Sequence, residues 1–153
     1  TGLMWQKNDN GSGMDWEHAL AYAQTQNIAN YLGHNDWRVP DAKELQSIVD
    51  YTRSPYATKA ANIGPAINAL FNCTGILNDG GKADYPYYWT STSAMSLANG
   101  SYPSAWYVAV GQAEDGNGEN LHGAGAVRFD KKIVGTGEGE ERVLNYVRLV
   151  RNN

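Results

Sequence analysis

Residues 36–47 read Asp-Trp-Arg-Val-Pro-Asp-Ala-Lys-Glu-Leu-Gln-Ser and contain the strongest local structural signal in the chain. Pro40 disfavours a helical backbone at Val39, so the segment before it is predicted to be extended. Asp41 is a favoured N-cap residue, and Glu44 three positions later completes a capping box. Apolar residues then recur at helical spacing, at Leu45, Ile48 and Val49. The stretch therefore predicts an extended segment that leads directly into a helix.

The side chains just before this helix are expected to serve the fold. Trp37 offers a large apolar surface for the core. Arg38 is predicted to pair with a carboxylate of the helix, for which Glu44 is a candidate.

The rest of the chain predicts an α+β domain. Residues 2–6 resemble a short strand, and Asp15 is a suitable N-cap for a first helix. Residues 65–71 could form a short helical segment. The later runs with strand-like composition are residues 87–93, 105–110, 126–129 and 144–151. Helices followed by strands favour an α+β fold with a small, mostly antiparallel sheet, and the two extended termini are expected to pair.

The composition limits the class of protein. The chain has 153 residues, enough for one core, and a net charge of −4 with no basic run, which disfavours nucleic-acid binding. Its single cysteine, Cys73, excludes an internal disulfide and a thiolate-rich metal site, and we expect it to be a buried structural residue. No apolar stretch approaches the roughly 20 residues of a membrane span, so no membrane insertion by this domain is expected.

A set of motifs runs through the chain in a fixed order. They lie at residues 1–6, at Trp16 with 19–22, at 36–40 with 43–47, and at 84–92, 122–126 and 145–151. Together they resemble the Legionella collagen-like (Lcl) C-terminal domain family over nearly the whole chain. The resemblance implies one C-type-lectin-like domain over residues 1–153, excised from a longer surface or secreted protein of a bacterium. It also implies a role as a surface adhesin that binds sulfated glycans.

The chain departs from the family at two positions. Members often carry a cysteine in the first helix and another in the last strand, where this chain has Ala23 and Leu149. The loss of both is consistent with a bridge replaced by apolar packing.

The expected function is non-catalytic, extracellular recognition or adhesion, with a glycan or protein ligand held by loops 94–104, 111–125 and 130–142. Two alternatives stay open: a variable-receptor scaffold that binds proteins, and a structural or trimerisation tip that forms oligomers. A metal-dependent enzyme would need Asp115, Glu119 and His122 to converge, and no nucleophile–base pair is evident in the sequence. We therefore expect no enzymatic activity.

Tyrosines are the main candidates for ligand contact, since each combines a stacking face with a polar hydroxyl. The candidates are Tyr87, Tyr88, Tyr102 and Tyr107. Trp89 and Trp106 are expected in the core, and the period of two in a strand then directs Tyr88 and Tyr107 outward. The alternative for each is an ordinary half-buried tyrosine of a sheet.

An acidic loop offers a possible cation site. Residues 115–120 alternate oxygen ligands with glycine, as loops that bind hard cations do. The candidate calcium ligands are Asp115, Asn117 and Glu119, with Asp79 or Asp84 brought in by the fold. Asn120 and His122 are further candidates for ligand contact. A solvated acidic loop and a structural histidine are the alternative interpretations.

Overall fold

The computed structural model describes residues 2–78, 81–94, 97–112, 123–133 and 144–153. Its helices are α1 (Trp16–Ile28) and α2 (Ala42–Gln46), with short 3-10 turns at Tyr31–Gly33 and Ala60–Asn62. Its strands are β1 (Leu3–Trp5), β2 (Ile76–Leu77), β3 (Ala83–Asp84), β4 (Tyr87–Ala94), β5 (Ser104–Ala109), β6 (Val127–Lys131) and β7 (Val150–Asn152). The predicted α+β class is confirmed, whereas the C-type-lectin-like topology stays a prediction. No helix in the described ranges is long and apolar enough to cross a membrane.

Antiparallel pairing organises the strands. The largest sheet has the order β4-β5-β6, and β2 pairs with β3 in a small hairpin. The two ends of the chain pair through β1 and β7, with Leu3 opposite Asn152 and Trp5 opposite Val150. The predicted pairing of the terminal strands is therefore confirmed.

Both helices begin where their capping residues predict. Asp15 accepts a hydrogen bond from the backbone N–H of His18 at 2.9 Å. At α2, Asp41 accepts from the Glu44 N–H at 2.8 Å and Glu44 accepts from the Asp41 N–H at 2.9 Å, so the capping box is complete. Arg38 donates to both oxygens of Glu44 at 2.6 and 2.7 Å, which confirms the predicted ion pair.

The predicted helical segment at residues 65–71 is wrong. The Ala66 N–H donates to the Val110 carbonyl at 2.7 Å, and Ile67 forms an antiparallel bridge with Val49. Ala66 and Ile67 are buried in this extended path. Backbone bonds to neighbouring segments replace the bonds that a helix would have formed.

The central sheet is covered on both faces. On one face, Tyr107 and Trp89 pack with α1 and with Trp37. On the other, Val108 and Tyr88 pack with Leu45 of α2. Both faces are covered along Tyr88–Thr90 of β4 and 107–109 of β5, so consecutive residues there are buried whichever way they point.

The two positions that lack the family's cysteines lie in the first of these clusters. Ala23 and Leu149 are both buried there. Apolar packing therefore occupies the region where other members often carry cysteine.

A buried arginine joins the distant parts of the fold. Arg148 has no solvent exposure. Its Nη1 donates to the carbonyls of Gln6 and Lys7 at 3.0 and 2.6 Å, and its Nη2 donates to the Asn72 carbonyl at 2.6 Å. One guanidinium thus ties the segment after β1 and the segment before β2 to the C-terminal segment.

The charge of Arg148 is balanced by Asp9, whose Oδ2 lies 3.9 Å from Nη2. Tyr88 lies between them: its hydroxyl donates to Asp9 at 2.6 Å and accepts from Arg148 at 3.1 Å. Burial is the main cause that raises the pKa of Tyr88, so the phenol stays protonated and can donate to the carboxylate. Cys73 lies beside this group, with its Sγ 3.8 Å from Nη2, and burial raises the pKa of its thiol.

We predict that Arg148→Met lowers the free energy of unfolding by about 3–5 kcal/mol, because it leaves the buried Asp9 carboxylate without its counter-charge and several carbonyls without their donor. Arg148→Lys keeps the charge but cannot serve both sets of carbonyls, so it should lie between Met and the parent chain. Urea unfolding followed by tryptophan fluorescence measures both. A parent-like midpoint for Arg148→Met would contradict a central role for this arginine.

The Arg38–Glu44 pair predicts a pH dependence of stability. Its hydrogen bonds from Arg38 are the main cause that lowers the pKa of Glu44 below its ordinary value of 4.5. The stabilisation is therefore present above pH 4.5 and is lost as pH falls through the lowered pKa. Glu44→Gln, which retains a capping side chain, should cost about 1 kcal/mol at pH 7 because the pair is partly exposed. Thermal unfolding at a series of pH values should show this difference shrinking towards pH 3; a constant difference would contradict the assignment.

Candidate functional site

A groove opens where the start of α1 meets the turn before β5 and the end of β6. Its volume is about 520 Å³, within the range of ligand sites. The residues that line it come from four separate parts of the sequence: Trp16, Glu17, Leu97, Tyr102, Pro103, Ser104, Lys131, Lys132 and Ile133. Most of the lining surface is apolar.

Three apolar side chains of the groove remain open to solvent. Leu97 is 42% exposed, Tyr102 is 53% exposed and Ile133 is 60% exposed. Single exposed apolar residues are common on proteins, but a concave surface that gathers several of them is typical of an interaction site.

Lys132 is held firmly at the groove. Its carbonyl accepts from the Trp16 N–H at 3.1 Å, and its own N–H donates to the Pro103 carbonyl at 2.9 Å. Its Nζ donates to Ser93 Oγ at 2.7 Å and lies 4.2 Å from the centre of the Trp16 ring. The backbone and the side chain together fix an ammonium group over an aromatic face.

The ring nitrogen of the Trp16 indole is also held in place. Trp16 Nε1 donates to the Thr90 carbonyl of β4 at 2.8 Å. The indole therefore connects the groove to the central sheet, and its orientation does not depend on a ligand.

The net charge of the described groove lining is opposite in sign to the net charge of the whole chain. Lys131 and Lys132 carry two positive charges against the one carboxylate of Glu17, while the chain has a net charge of −4. Among the described residues, neither lysine forms an ion pair. The groove thus presents a local positive potential on an acidic protein.

Of the tyrosines predicted to contact a ligand, Tyr102 lies in this groove. The outward orientation predicted for Tyr88 and Tyr107 is wrong, since their exposures are 0% and 2%. The alternation along each strand is correct, but both faces of the sheet are covered. Tyr87 is half-buried, and its ring stacks on that of Tyr107 with 5.4 Å between the ring centres. Its hydroxyl donates a hydrogen bond to the carbonyl of Gln112.

The predicted structural tryptophans divide into two groups. Trp37 and Trp89 are buried in the core, as expected. Trp106 is only partly buried, so its assignment to the core is corrected. It packs edge-to-face on Phe129, with 5.3 Å between the ring centres, and Phe129 is itself 46% exposed.

The acidic-loop candidates fall outside the described residues. These are Asp79, Asp115, Asn117, Glu119, Asn120 and His122. The predicted contact loops also lie partly outside those ranges, at residues 95–96, 113–122 and 134–142. The calcium site and the contacts of Asn120 and His122 therefore stay predictions.

Asp84 is the one member of the calcium proposal that is described. It is nearly fully buried, and its carboxylate accepts from the Gln112 N–H at 3.0 and 3.2 Å. Burial is the main cause that raises its pKa. In the described part of the chain, His, Cys, Asp and Glu form no cluster of three or more suited to a metal ion.

Sequence reasoning missed most of the groove. Lys131-Lys132 is the only pair of adjacent basic residues in the chain, and the apolar Ile133 follows it directly. That combination was the one available signal. Nothing in the sequence brings it to Trp16, because the contact depends on the end of β6 reaching the first turn of α1.

We predict that Tyr102→Ala changes the free energy of unfolding by less than about 0.5 kcal/mol, because the side chain is exposed. Tyr107→Ala should cost about 3 kcal/mol or more, since it leaves a cavity beside Trp89 and Tyr87. Thermal unfolding of both variants measures the difference. Equal losses in the two variants would contradict the separation of the groove tyrosine from the core tyrosines.

Comparison with known proteins gives one match. The family model of the Lcl C-terminal domain matches residues 1–151, nearly the entire chain. No curated protein and no solved structure gives a significant match. The match includes residues of every described element, from the paired termini to the strands that frame the groove. The chain belongs to the Lcl C-terminal domain family.

Proposed function

We propose that this domain is a non-catalytic recognition or adhesion module that works outside the bacterial cell and binds a glycan or protein ligand in the groove. The observation that carries the proposal is a concave, mostly apolar surface that remains exposed beside two lysines. Exposed apolar area has a free-energy cost of roughly 25 cal/mol per Å², which a bound ligand would remove.

Backbone hydrogen bonds within the protein fix the shape of the groove. The backbone bonds from Trp16 to Lys132 and from Lys132 to Pro103 hold its walls together. A preorganised site loses little conformational entropy on binding, so more of the contact energy appears as affinity. This rigidity suits repeated reversible attachment.

The chemistry of the lining supports binding rather than catalysis. Among the described residues of the lining, the single carboxylate is Glu17, and the other titratable side chains are Tyr102 and the two lysines. Hydrolysis of a glycosidic bond normally requires two carboxylates that flank it. Nucleophilic catalysis requires a nucleophile with a base within hydrogen-bond reach. The groove offers neither arrangement.

The test is an array of glycans, including sulfated glycosaminoglycans, and of matrix and cell-surface proteins. We expect specific ligands that the double variant Tyr102→Ala/Ile133→Ser binds at least tenfold more weakly, because it removes two exposed apolar contacts. The matched control is Leu70→Ser, which removes an apolar side chain that is 76% exposed and lies outside the groove lining. Its binding should equal that of the parent chain.

The same array is run with calcium and with a chelator. Binding that resists the chelator and is lost in the double variant supports the groove as the site. Binding that disappears in chelator but survives in the double variant would place the site at the acidic loop instead and overturn the proposal. An array without specific hits would also count against recognition.

A further inference from the structure

The groove combines two features that together define a ligand chemistry. Its lining includes the apolar residues Leu97, Pro103 and Ile133. The same lining carries Lys131 and Lys132, without a described carboxylate as partner for either. Building on the proposed function, we infer that the groove binds a peptide segment of a partner protein in which a large apolar side chain stands next to a carboxylate.

The apolar half of this ligand follows from the exposed side chains. Leu97, Tyr102 and Ile133 leave a surface open to water that one aliphatic or aromatic side chain would cover. A leucine or phenylalanine side chain of the ligand would leave water when it packs against this apolar surface, and the burial of such a side chain is favourable. A long lipid chain fits less well, because the openness that exposes these residues would leave much of the chain in water.

The acidic half follows from the lysines. Lys132 is fixed by Ser93 and by the Trp16 ring, and Lys131 is exposed next to it. A carboxylate that docks here gains charge-assisted hydrogen bonds without the need to order a mobile cation. Since the chain as a whole carries −4, the rest of its surface repels an acidic segment and the groove attracts it.

The lining favours a peptide over a sugar. Each hydroxyl of a buried sugar ring needs a hydrogen-bond partner, and an unpaired one is costly. The aliphatic members of the lining, Leu97, Pro103 and Ile133, offer no side-chain partner of that kind, so only its polar members could serve a sugar. A peptide with one apolar anchor and one carboxylate can use both the aliphatic members and the lysines.

The first experiment uses the probe acetyl-Gly-Ser-Phe-Asp-Ser-Gly-amide in a titration followed by amide NMR at low salt. We expect the largest shift changes at Trp16, Lys132 and Ile133. Replacing Phe by Ala in the probe should weaken binding at least tenfold. Replacing Asp by Asn should weaken it about threefold to fivefold, as is usual for an exposed ion pair, and raising the salt concentration should remove that difference.

The second experiment varies the protein. Lys131→Met should lower the affinity for the Phe-Asp probe and reduce its advantage over the Phe-Asn probe, because one of the two lysines is removed, and should leave the Phe-Asn affinity unchanged. The matched control is Lys59→Met, an exposed lysine outside the groove, for which the preference for Phe-Asp should persist. This comparison isolates the charge contact, because neither lysine is part of the core.

Each outcome separates this inference from the proposed function. Equal binding of Phe-Asp and Phe-Asn probes, or shift changes elsewhere on the protein, overturns the inference. Array ligands that are sulfated glycans and are lost in Tyr102→Ala/Ile133→Ser, with no probe binding, overturn the inference and leave the recognition function standing. No binding in either experiment overturns both.

Discussion

The fold depends on the buried guanidinium of Arg148. Removing a cation from water is costly unless its hydrogen bonds and charge are matched. Here carbonyls of Gln6, Lys7 and Asn72 accept its hydrogen bonds, and Asp9 supplies the opposite charge. Those partners lie in segments that have little regular secondary structure to hold them. Because the guanidinium geometry is rigid, the segments can satisfy it only in one arrangement, and so it specifies how the N-terminal and central loops pack against the C-terminal segment.

That arrangement covers both faces of the central sheet and decides which aromatic residues can act. Tyr88 lies under the loop that carries Asp9, and Tyr107 lies under α1. The Tyr88 hydroxyl bonds to Asp9, and both rings serve internal packing, which is a usual fate of tyrosine in a core with few large aliphatic residues. Under the proposed function, ligand contact therefore lies at the rim of the sheet. Tyr102, which precedes β5 rather than standing in it, is the candidate tyrosine that remains exposed at a cavity.

The sequence predicted the features that depend on neighbours along the chain. The caps at Asp15 and Asp41, the Arg38–Glu44 pair and the strand character of β4 to β6 all result from interactions within a few residues or from local composition. The periodicity of β4 also placed Tyr88 and Trp89 on opposite faces correctly. It could not show that both faces are covered, because the covering segments come from residues 16–28 and 42–73. The groove escaped prediction for the same reason: Trp16 and Lys132 are 116 positions apart in the sequence and are joined by one backbone hydrogen bond.

The groove and the core are nevertheless mechanically connected. Trp16 donates its backbone N–H to Lys132 and its indole N–H to Thr90, and α1, which it begins, packs on Trp89 and Tyr107. The walls of the groove are thus attached to the most deeply buried part of the molecule, while the side chains that would meet a ligand carry little of its stability. Such a division allows Leu97, Tyr102 and Ile133 to change with the ligand at small cost to folding, since exposed substitutions seldom alter stability by much. Lys132 is the exception, because its ammonium contacts both Ser93 and the Trp16 ring. A positive charge at this position is therefore favoured by the fold itself, and under the proposed function it favours a ligand that carries a negative charge.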